Sequence, residues 1–235
     1  MIEIKNITKQ FKKFKALDNV NLELKLGECI ALIGPNGCGK TTLIKSILGM
    51  VLPENGEIIF NGKNIKNDNN YKKQIGYMPQ IGRYPENMTI GQIIEMIKSI
   101  RGEETELDQE LYKQFEMDKL LDKKMRTLSG GTTQKVSAVL AFMFRSKVLI
   151  LDEPTAGLDP IATDILKEKI IDAKNNGALI LITSHLLSEL EDLVSQIIFM
   201  QDGKLILHKN VDELKKDTGQ ESIAKSIVHL LKTNN

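Results

Sequence analysis

The chain has 235 residues, and its 32 lysines and arginines almost balance its 31 aspartates and glutamates, which leaves a net charge of +1. This balance gives no global electrostatic case for a nucleic-acid-binding protein. No apolar run reaches the ~18–20 residues of a membrane-spanning helix, and 2 cysteines are too few for a disulfide scaffold. We therefore expect a cytoplasmic globular protein with a substantial buried core.

The first predicted elements are strands, followed by a glycine-rich loop and a helix. Met1–Lys5 alternates between apolar and polar residues, and Cys29–Ile33 is an apolar run of strand type. Residues 41–48 have helical spacing and end at Gly49. The intervening segment reads Gly34-Pro35-Asn36-Gly37-Cys38-Gly39-Lys40-Thr41-Thr42. This is the phosphate-binding P-loop pattern, in the strand-to-helix context that the motif requires.

The P-loop predicts a nucleotide-binding site. Gly34, Gly37 and Gly39 permit backbone angles that let consecutive N–H groups converge on phosphate oxygens at a helix N-terminus. Lys40 would reach the β- and γ-phosphates, and the Thr41 hydroxyl would bind Mg²⁺. The other nucleotide-binding members of the loop are Asn36, Cys38 and Thr42. A glycine-rich turn without function is the alternative, and the flanking strand and helix disfavour it.

The middle of the chain changes from a strand pattern to a helical one. The stretch Asn61 to Lys73 is rich in asparagine and lysine and predicts a solvated loop. Strand-like residues continue to Gln80, after which Thr89 and Gln92 form a capping box. Apolar residues then recur at helical spacing: Ile90, Ile93, Ile94, Ile97 and Ile100. We expect a mostly helical insert from about residue 83 to 141.

That insert ends in a second anion-binding motif, Leu128-Ser129-Gly130-Gly131, before an apolar helix. The Ser129 hydroxyl and the N–H groups of Gly130 and Gly131 at the helix start can meet a γ-phosphate. Two such turns for one nucleotide predict that each chain supplies half of two shared sites. A serine-capped structural helix is the alternative.

The strand pattern returns at Val148–Leu151, which delivers Asp152 and Glu153 at its carboxyl end. Ligands of open α/β sheets bind at this edge. Asp152 can hold Mg²⁺, while Glu153 can polarise the water that attacks the γ-phosphate. An exposed acidic turn is the alternative, which the preceding P-loop disfavours.

The remaining elements follow in order. Asp159 and Pro160 form a cap and first-turn pair for a helix that runs toward Gly177. Another strand-like run follows at 178–183. Asp202-Gly203 lies between two apolar runs and predicts a hairpin. A tail from about residue 211 carries apolar residues at the spacing of a short helix: Ile223, Ile227, Val228, Leu230 and Leu231.

Together these motifs resemble the nucleotide-binding subunit of ATP-binding-cassette (ABC) proteins over residues 1–210. The resemblance implies an α/β fold: a RecA-like P-loop NTPase core, an N-terminal antiparallel β subdomain and the inserted α-helical subdomain at about 83–141. Residues 211–235 would form the C-terminal tail. It also implies an ATPase with ATP and Mg²⁺ as cofactors, working as a head-to-tail dimer of two copies.

The resemblance assigns further site residues. Phe11 falls where the family has an aromatic that stacks on adenine, although core packing is an alternative and Phe14 a weaker candidate. Gln80 matches the Q-loop glutamine, which senses Mg²⁺ and water and connects to the partner domain. Asp159 matches the D-loop aspartate, which works across the dimer. His185 matches the switch histidine, which contacts the γ-phosphate.

One residue departs from the family pattern. The signature usually reads Leu-Ser-Gly-Gly-Gln, and here Thr132 replaces the glutamine. Because Thr132 lies beyond the phosphate-facing atoms of the motif, we expect it to tune the site rather than abolish it.

The resemblance implies the ATPase subunit of a transporter whose membrane channel is a separate chain. Such a subunit is peripheral on the cytoplasmic face of the inner (cell) membrane. The alternatives are a soluble ABC ATPase acting on ribosomes or DNA and a nucleotide sensor without hydrolysis. The intact Glu153 and His185 disfavour the sensor. A GTPase is disfavoured because no guanine-reading Asn-Lys-x-Asp segment is present.

A finer resemblance concerns the transported cargo. The segments Ser129–Ala141 and Thr183–Leu190 are similar to NosF-type ATPases, which serve the transporter that matures the copper sites of nitrous oxide reductase. This is a similarity of sequence only, because the residues of these motifs act on the nucleotide and do not determine which cargo is transported. The alternatives are general exporters of drugs or lipids and exporters of the haem-maturation type.

Overall fold

The computed structural model describes residues 1–102 and 106–233. The chain forms two compact units. The first unit comprises Met1–Lys72 and Leu181–Asn235, and the second comprises Lys73–Ile180. Among the described residues, no helix is long and apolar enough to cross a bilayer.

In chain order the elements are β1 (Ile2–Phe11), β2 (Phe14–Leu24), β3 (Cys29–Ile33), α1 (Lys40–Ile47), β4 (Asn55–Phe60), β5 (Lys63–Asn64), β6 (Ile75–Met78), α2 (Ile90–Arg101), α3 (Glu110–Gln114), α4 (Gly130–Phe142), β7 (Val148–Asp152), α5 (Pro160–Asn175), β8 (Leu179–Thr183), β9 (Gln196–Gln201), β10 (Lys204–Asn210), α6 (Val211–Thr218) and α7 (Ile223–Thr233). Short 3₁₀ turns lie at Ile65–Asn67, Asn70–Gln74, Met117–Leu120, Met125–Thr127 and Leu187–Glu189.

The first unit begins with an antiparallel sheet of four strands in the order β2-β1-β4-β5. Ile2 and Ile4 of β1 are buried and alternate with the more exposed Glu3 and Lys5, as a strand with one face on the core requires. The register shifts between Ile4 and Ile7, where Asn6 has φ 53°, and Ile7 is buried again. The predicted antiparallel β sheet at the N-terminus is therefore present.

The same unit holds the strand that leads into the P-loop. All five residues of β3 are buried, as expected for a strand covered on both faces. β3 pairs in parallel with β9, from Ile30 opposite Gln196 to Ile33 opposite Phe199, and β8 follows β3 in the strand order on its other side. β9 and β10 form the predicted hairpin, in which Asp202 and Gly203 both have positive φ.

The second unit contains a parallel pair of strands. β6 pairs with β7 in register from Ile75 opposite Val148 to Met78 opposite Leu151. Because the pair is parallel, the residues that follow both strands lie at the same edge. A Cβ atom at Gly76 would lie 2.1 Å from the Ala141 carbonyl oxygen, so α4 packs against β6 at backbone distance.

Helices occupy much of the predicted insert. The first of them, α2, begins at Ile90 and carries the predicted capping box: the Gln92 N–H donates to Thr89 Oγ1 (3.2 Å), and the Thr89 N–H donates to Gln92 Oε1 (2.9 Å). Residues 83–89 hold no helix. Two 3₁₀ turns lie between α3 and α4, so the described part of this region is less continuously helical than the apolar spacing alone indicates. Residues 103–105 of the predicted insert lie outside the described residues.

Two segments of the first unit are more ordered than expected. The predicted loop at 61–73 includes β5, 3₁₀ turns and a buried tyrosine. Tyr71 donates a hydrogen bond from its hydroxyl to the Ile47 carbonyl oxygen (3.0 Å), and burial raises its pKa to about 12. The tail forms two helices rather than one. Glu191 anchors both, since it accepts the Ile223 N–H (2.6 Å) and pairs with Lys215 (2.8 Å).

The capping box predicts a measurable stability loss. Replacing Thr89 by Ala leaves the Gln92 N–H without its acceptor, which should lower the free energy of unfolding by about 0.5–2 kcal/mol. Urea denaturation would measure the change. Ser99→Ala, at an exposed position of α2, is the matched control and should change stability little. Equal effects of the two substitutions would contradict the capping role.

Candidate active site

The P-loop joins β3 to α1 through two glycines that no other residue can replace without a shift of the backbone. Gly34 has φ 149°, and a Cβ atom there would lie 2.1 Å from the Met200 carbonyl oxygen. Gly39 has φ 107°, and its Cβ atom would lie 2.3 Å from the Ala16 carbonyl oxygen. The loop is therefore wedged against neighbouring backbone, which fixes the direction in which α1 starts.

The start of α1 has the chemistry of an anion site. Its first N–H groups have no acceptor within the helix, and they form the positive end of the helix dipole. No acidic residue occupies the first turn. Lys40 adds a cation, since its ammonium donates to the carbonyl oxygens of Gly34 (2.7 Å) and Pro35 (3.1 Å). This donor set fits a phosphate chain.

The other P-loop residues differ in exposure. Asn36, Gly37 and Thr41 are exposed, whereas Thr42 is half-buried. Cys38 is buried, with its Sγ 3.9 Å from the Lys40 ammonium. The loop thus has an exposed stretch at Pro35–Gly37 followed by the buried Cys38 and Gly39, and Thr41 is exposed again at the start of α1.

Phe11 lies at the tip of the β1–β2 hairpin. It pairs with Phe14 across the hairpin, and the two side chains are 47% and 55% exposed. The Lys9 ammonium lies 5.3 Å from the centre of the Phe11 ring. Phe11 is therefore not a core residue, which argues against the packing alternative, and its half-exposed ring stays a predicted stacking residue.

His185 is in the first unit, two residues after the end of β8. Its side chain is exposed. Ser184 shapes the turn, because its hydroxyl accepts the Leu186 N–H (3.0 Å). A 3₁₀ turn follows at Leu187–Glu189. The histidine therefore sits on a short, locally hydrogen-bonded turn rather than within a helix or strand.

The second unit brings Gln80, Asp152 and Glu153 to one edge. β6 ends at Met78 and the parallel β7 ends at Asp152. Gln80 is exposed, Asp152 is half-buried and Glu153 is only 9% exposed. Burial, and then the negative charge of Asp152, raise the pKa of the Tyr77 hydroxyl to about 12. Two carboxylates and an amide thus share this edge.

These residues also fit Mg²⁺. The carboxylate of Asp152 and the amide oxygen of Gln80, both in the second unit, are the hard oxygen ligands that this ion prefers. In the first unit, the exposed hydroxyl of Thr41 is a ligand of the same class. Within residues 1–102 and 106–233, no cluster of three or more His, Cys, Asp or Glu residues could hold a metal by itself. In nucleotide sites, Mg²⁺ is usually bound through one or two carboxylates together with the substrate phosphates. Bound Mg²⁺ would neutralise charge on those phosphates.

The signature motif starts α4. Ser129 is the N-cap, and its hydroxyl accepts the Thr132 N–H (3.3 Å). A Cβ atom at Gly130 would meet no described atom within 4 Å, whereas one at Gly131 would lie 2.6 Å from the Gly157 carbonyl oxygen. The motif therefore has an open position at 130 and a crowded one at 131.

Thr132 lies closer to the signature hydroxyl than the sequence indicates. Its Oγ1 is 2.9 Å from Ser129 Oγ, and the two hydroxyls share a hydrogen bond. The third residue of a helix faces the N-cap side chain, which places a short hydroxyl-bearing side chain beside it. The departure from the family pattern therefore contacts the group that is expected to meet phosphate.

Asp159 is the N-cap of α5, as predicted. One carboxylate oxygen accepts the Ala162 N–H (2.9 Å) and the other pairs with Lys135 (2.8 Å). The hydrogen bond from Lys135 and then that from Ala162 hold the pKa of this exposed carboxyl below its usual range. Within the chain the carboxylate thus binds the start of α5 to α4.

Sequence reasoning missed three residues of α4 and its surroundings. Gln134 is buried and donates to the carbonyl oxygens of Glu153 and Pro154. Lys135 holds Asp159. Tyr84 shares a 2.9 Å hydrogen bond between its hydroxyl and that of Ser137. A polar glutamine two residues before the apolar helical run that starts at Val136 was the available signal for the first of these.

The sequence comparisons now decide the family. The profile of the ABC transporter family matches residues 17–156. The chain belongs to this family. It is 34% identical over 212 residues to the lantibiotic transport ATP-binding protein SrtF of Streptococcus pyogenes, covering 90% of this chain and 92% of that protein. It is 31% identical over 235 residues to the ABC-type transporter ATP-binding protein EcsA of Bacillus subtilis, covering 98% and 95%.

Solved structures confirm the predicted fold. An ATP-binding subunit of an ABC transporter has a TM-score of 0.91 and 28% identity, covering 98% of this chain and 99% of that one. An ATP-binding cassette in a dimeric post-hydrolysis state with ADP and phosphate has a TM-score of 0.78, covering 90% and 99%; at 23% identity, this likeness concerns the fold alone. The predicted ABC ATPase of P-loop NTPase fold is therefore confirmed, and the chain is an ATP-binding subunit.

Removing the P-loop ammonium should weaken ATP binding specifically. Each charge-assisted hydrogen bond contributes ~1.5–3 kcal/mol, so Lys40→Met should raise the Kd for ATP by roughly tenfold or more. Isothermal titration calorimetry would measure it. Lys45→Met, on an exposed position of the same helix, is the matched control. Unchanged affinity of folded Lys40→Met protein would exclude Lys40 from the site.

Proposed function

We propose that this ABC ATPase subunit dimerises on ATP in head-to-tail fashion and drives a separate membrane subunit. One observation carries the proposal: the chain has two helix starts suited to phosphate. One is the start of α1 with Lys40, and the other is the start of α4 with Ser129. Neither helix has an acidic residue in its first turn. One nucleotide can use two such sites if it lies between two copies of the chain, with the α1 start of one copy and the α4 start of the other on its phosphates.

Each site residue has a proposed task in the chemistry. The P-loop N–H groups and Lys40 hold the phosphates, and Phe11 stacks on the adenine. Thr41, Gln80 and Asp152 bind Mg²⁺. Glu153 polarises the attacking water, and His185 stabilises the γ-phosphate as charge develops. The burial of Glu153 supports its task, since a carboxylate shielded from solvent interacts more strongly with a nearby water.

The signature supplies the contact between copies. The partner's Ser129, with the partner's Gly130 and Gly131, meets the γ-phosphate of ATP held by this chain's P-loop. ADP lacks that phosphate. Because each charge-assisted hydrogen bond contributes roughly 1.5–3 kcal/mol, a few per site shift the dimerisation equilibrium decisively. Hydrolysis removes these contacts, so the copies separate. Asp159, the D-loop aspartate, acts across the interface between the two copies.

The membrane partner receives that motion through the segment around Gln80. Gln80 is exposed and the next residue, Ile81, is a 68% exposed apolar side chain, which suits a protein contact. The names of SrtF and EcsA, both ATP-binding proteins of transporters, support a transport role. The subunit is then peripheral on the cytoplasmic face of the cell membrane. No nucleic-acid partner is proposed, given the net charge of +1.

The cargo is the finest level of the proposal. The first candidate, copper-site maturation, is supported only by the similarity of the segments Ser129–Ala141 and Thr183–Leu190 to the sequences of NosF-type ATPases. The relative SrtF, named for lantibiotic transport, favours lantibiotic transport as the second candidate. Copurification of this subunit with an integral membrane protein, followed by identification of that protein, distinguishes the two. Copurification with ribosomes or DNA instead would favour a soluble ABC ATPase.

Loss of the water-polarising carboxylate should stop hydrolysis without loss of binding. Glu153→Gln keeps the shape of the side chain but removes its charge and basicity, so turnover should fall by roughly 10²–10⁴-fold at unchanged ATP affinity. A phosphate-release assay measures turnover, and isothermal titration calorimetry measures the affinity for ATP. The control is Glu168→Gln, at an exposed position of α5. Near-normal turnover of Glu153→Gln would remove Glu153 from its proposed task.

The shared site predicts that a signature variant blocks assembly. Ser129→Arg should still bind ATP, because the P-loop is intact, yet its ATP-dependent dimer should disappear in size-exclusion chromatography. Ser99→Arg is the exposed control. Dimers that persist in Ser129→Arg would contradict the shared-site proposal.

A mixing experiment gives a second arm. Lys40→Met and Ser129→Arg chains should each be inactive alone. A mixed dimer has one site in which an intact P-loop meets an intact signature, so mixing should restore hydrolysis. No recovery in a mixture that forms dimers would argue against sites built from two chains.

A further inference from the structure

Gln134 is a buried polar residue for which the chemistry proposed above has no task. It is 3% exposed, on α4, and residues 136–142 that follow it in the helix are all buried and mostly apolar. A buried amide destabilises a protein unless it is hydrogen-bonded. The Gln134 Nε2 group donates to the Glu153 carbonyl oxygen (3.2 Å) and to the Pro154 carbonyl oxygen (3.3 Å). Its two protons match these two acceptors.

The backbone that it holds is strained. Glu153 has φ 52°, in the left-handed region that residues with a side chain rarely adopt. Such a conformation persists only when its surroundings over-determine it. The Glu153 carbonyl oxygen also accepts the Ala156 N–H (3.1 Å). Gln134 and Ala156 together fix the peptide plane that follows Glu153, and hence the direction of the Glu153 side chain.

We propose that Gln134 is a positioning residue for Glu153. Its amide holds the left-handed backbone at Glu153, so that the buried carboxylate points where it can polarise water. The inference rests on the proposed function, because it presumes that Glu153 activates water. Gln134 does not touch the reacting atoms and acts through the backbone alone.

Nearby contacts make α4 a rigid support for this task. The Gly157 carbonyl oxygen lies 2.6 Å from the position that a Cβ atom at Gly131 would occupy, and Lys135 pairs with Asp159. The segment from Glu153 to Asp159 is thus held to α4 at its start, middle and end. A rigid support is what a positioning residue needs, since misplacement by about 1 Å can cost roughly 10²-fold in rate.

The first test removes the amide but keeps the length of the side chain. Gln134→Met should lower kcat by roughly 10–100-fold, with little change in KM or in the Kd for ATP. Gln114→Met, the same substitution at an exposed position of α3, should leave kcat unchanged. A normal kcat in Gln134→Met would overturn the inference, as would a loss confined to KM.

A double-mutant cycle separates positioning from general damage. If Gln134 acts only through Glu153, the variant Glu153→Gln/Gln134→Met should turn over as slowly as Glu153→Gln alone. ATP-dependent dimerisation of the two should also agree. Additive losses would overturn the inference. Normal turnover in Glu153→Gln, by contrast, would overturn the proposed function itself, so the two failures are distinguishable.

A third variant carries the test should Gln134→Met not fold. Gln134→Glu introduces a carboxyl whose pKa burial raises. When protonated it can donate one of the two hydrogen bonds, and when ionised it donates none. Turnover relative to wild type should therefore rise as the pH falls, whereas Gln114→Glu should show no such change. A flat ratio across pH would count against hydrogen-bond donation at this position.

Discussion

The positive start of a helix is the constraint on which this structure depends. In α1 and in α4, N–H groups without helical acceptors lie next to glycines and without acidic neighbours in the first turn. The rest of the first unit places α1: buried β3 leads into the loop, and Met200 and Ala16 wall it. The strand pair of the second unit and the packing of α4 on Gly76 place the other start.

A second theme is that polar groups inside the second unit are held by specific partners. Gln134 bonds to carbonyls after β7, and Tyr84 bonds to Ser137. Burial raises the pKa of the Tyr84 hydroxyl, so it stays neutral and available as a donor. Such bonds are directional, unlike apolar packing, and they specify one arrangement of α4 relative to its neighbours. The sites that depend on α4 inherit that precision.

Sequence reasoning recovered the features that local chemistry dictates. The P-loop, the capping box at Thr89 and the turn at Asp202-Gly203 are each determined by residues close in sequence, and all are present. It failed where a contact joins distant residues. In the predicted loop at 61–73, the Tyr71 hydroxyl donates to the carbonyl oxygen of Ile47, 24 positions away. The Gln134 amide likewise donates to the carbonyl oxygen of Glu153, 19 positions away. The Thr132 hydroxyl is nearer, yet its rotamer toward Ser129 is a matter of side-chain geometry that periodicity does not contain.

The two signature glycines face different demands. At 131 even a methyl group would strike the Gly157 carbonyl before any nucleotide arrives, so glycine is needed there for the resting fold of each separate copy. At 130 a methyl group would enter space free of described atoms. An alanine at 130 should therefore leave the fold of a single subunit unchanged. It would clash only with a molecule that binds at the start of α4.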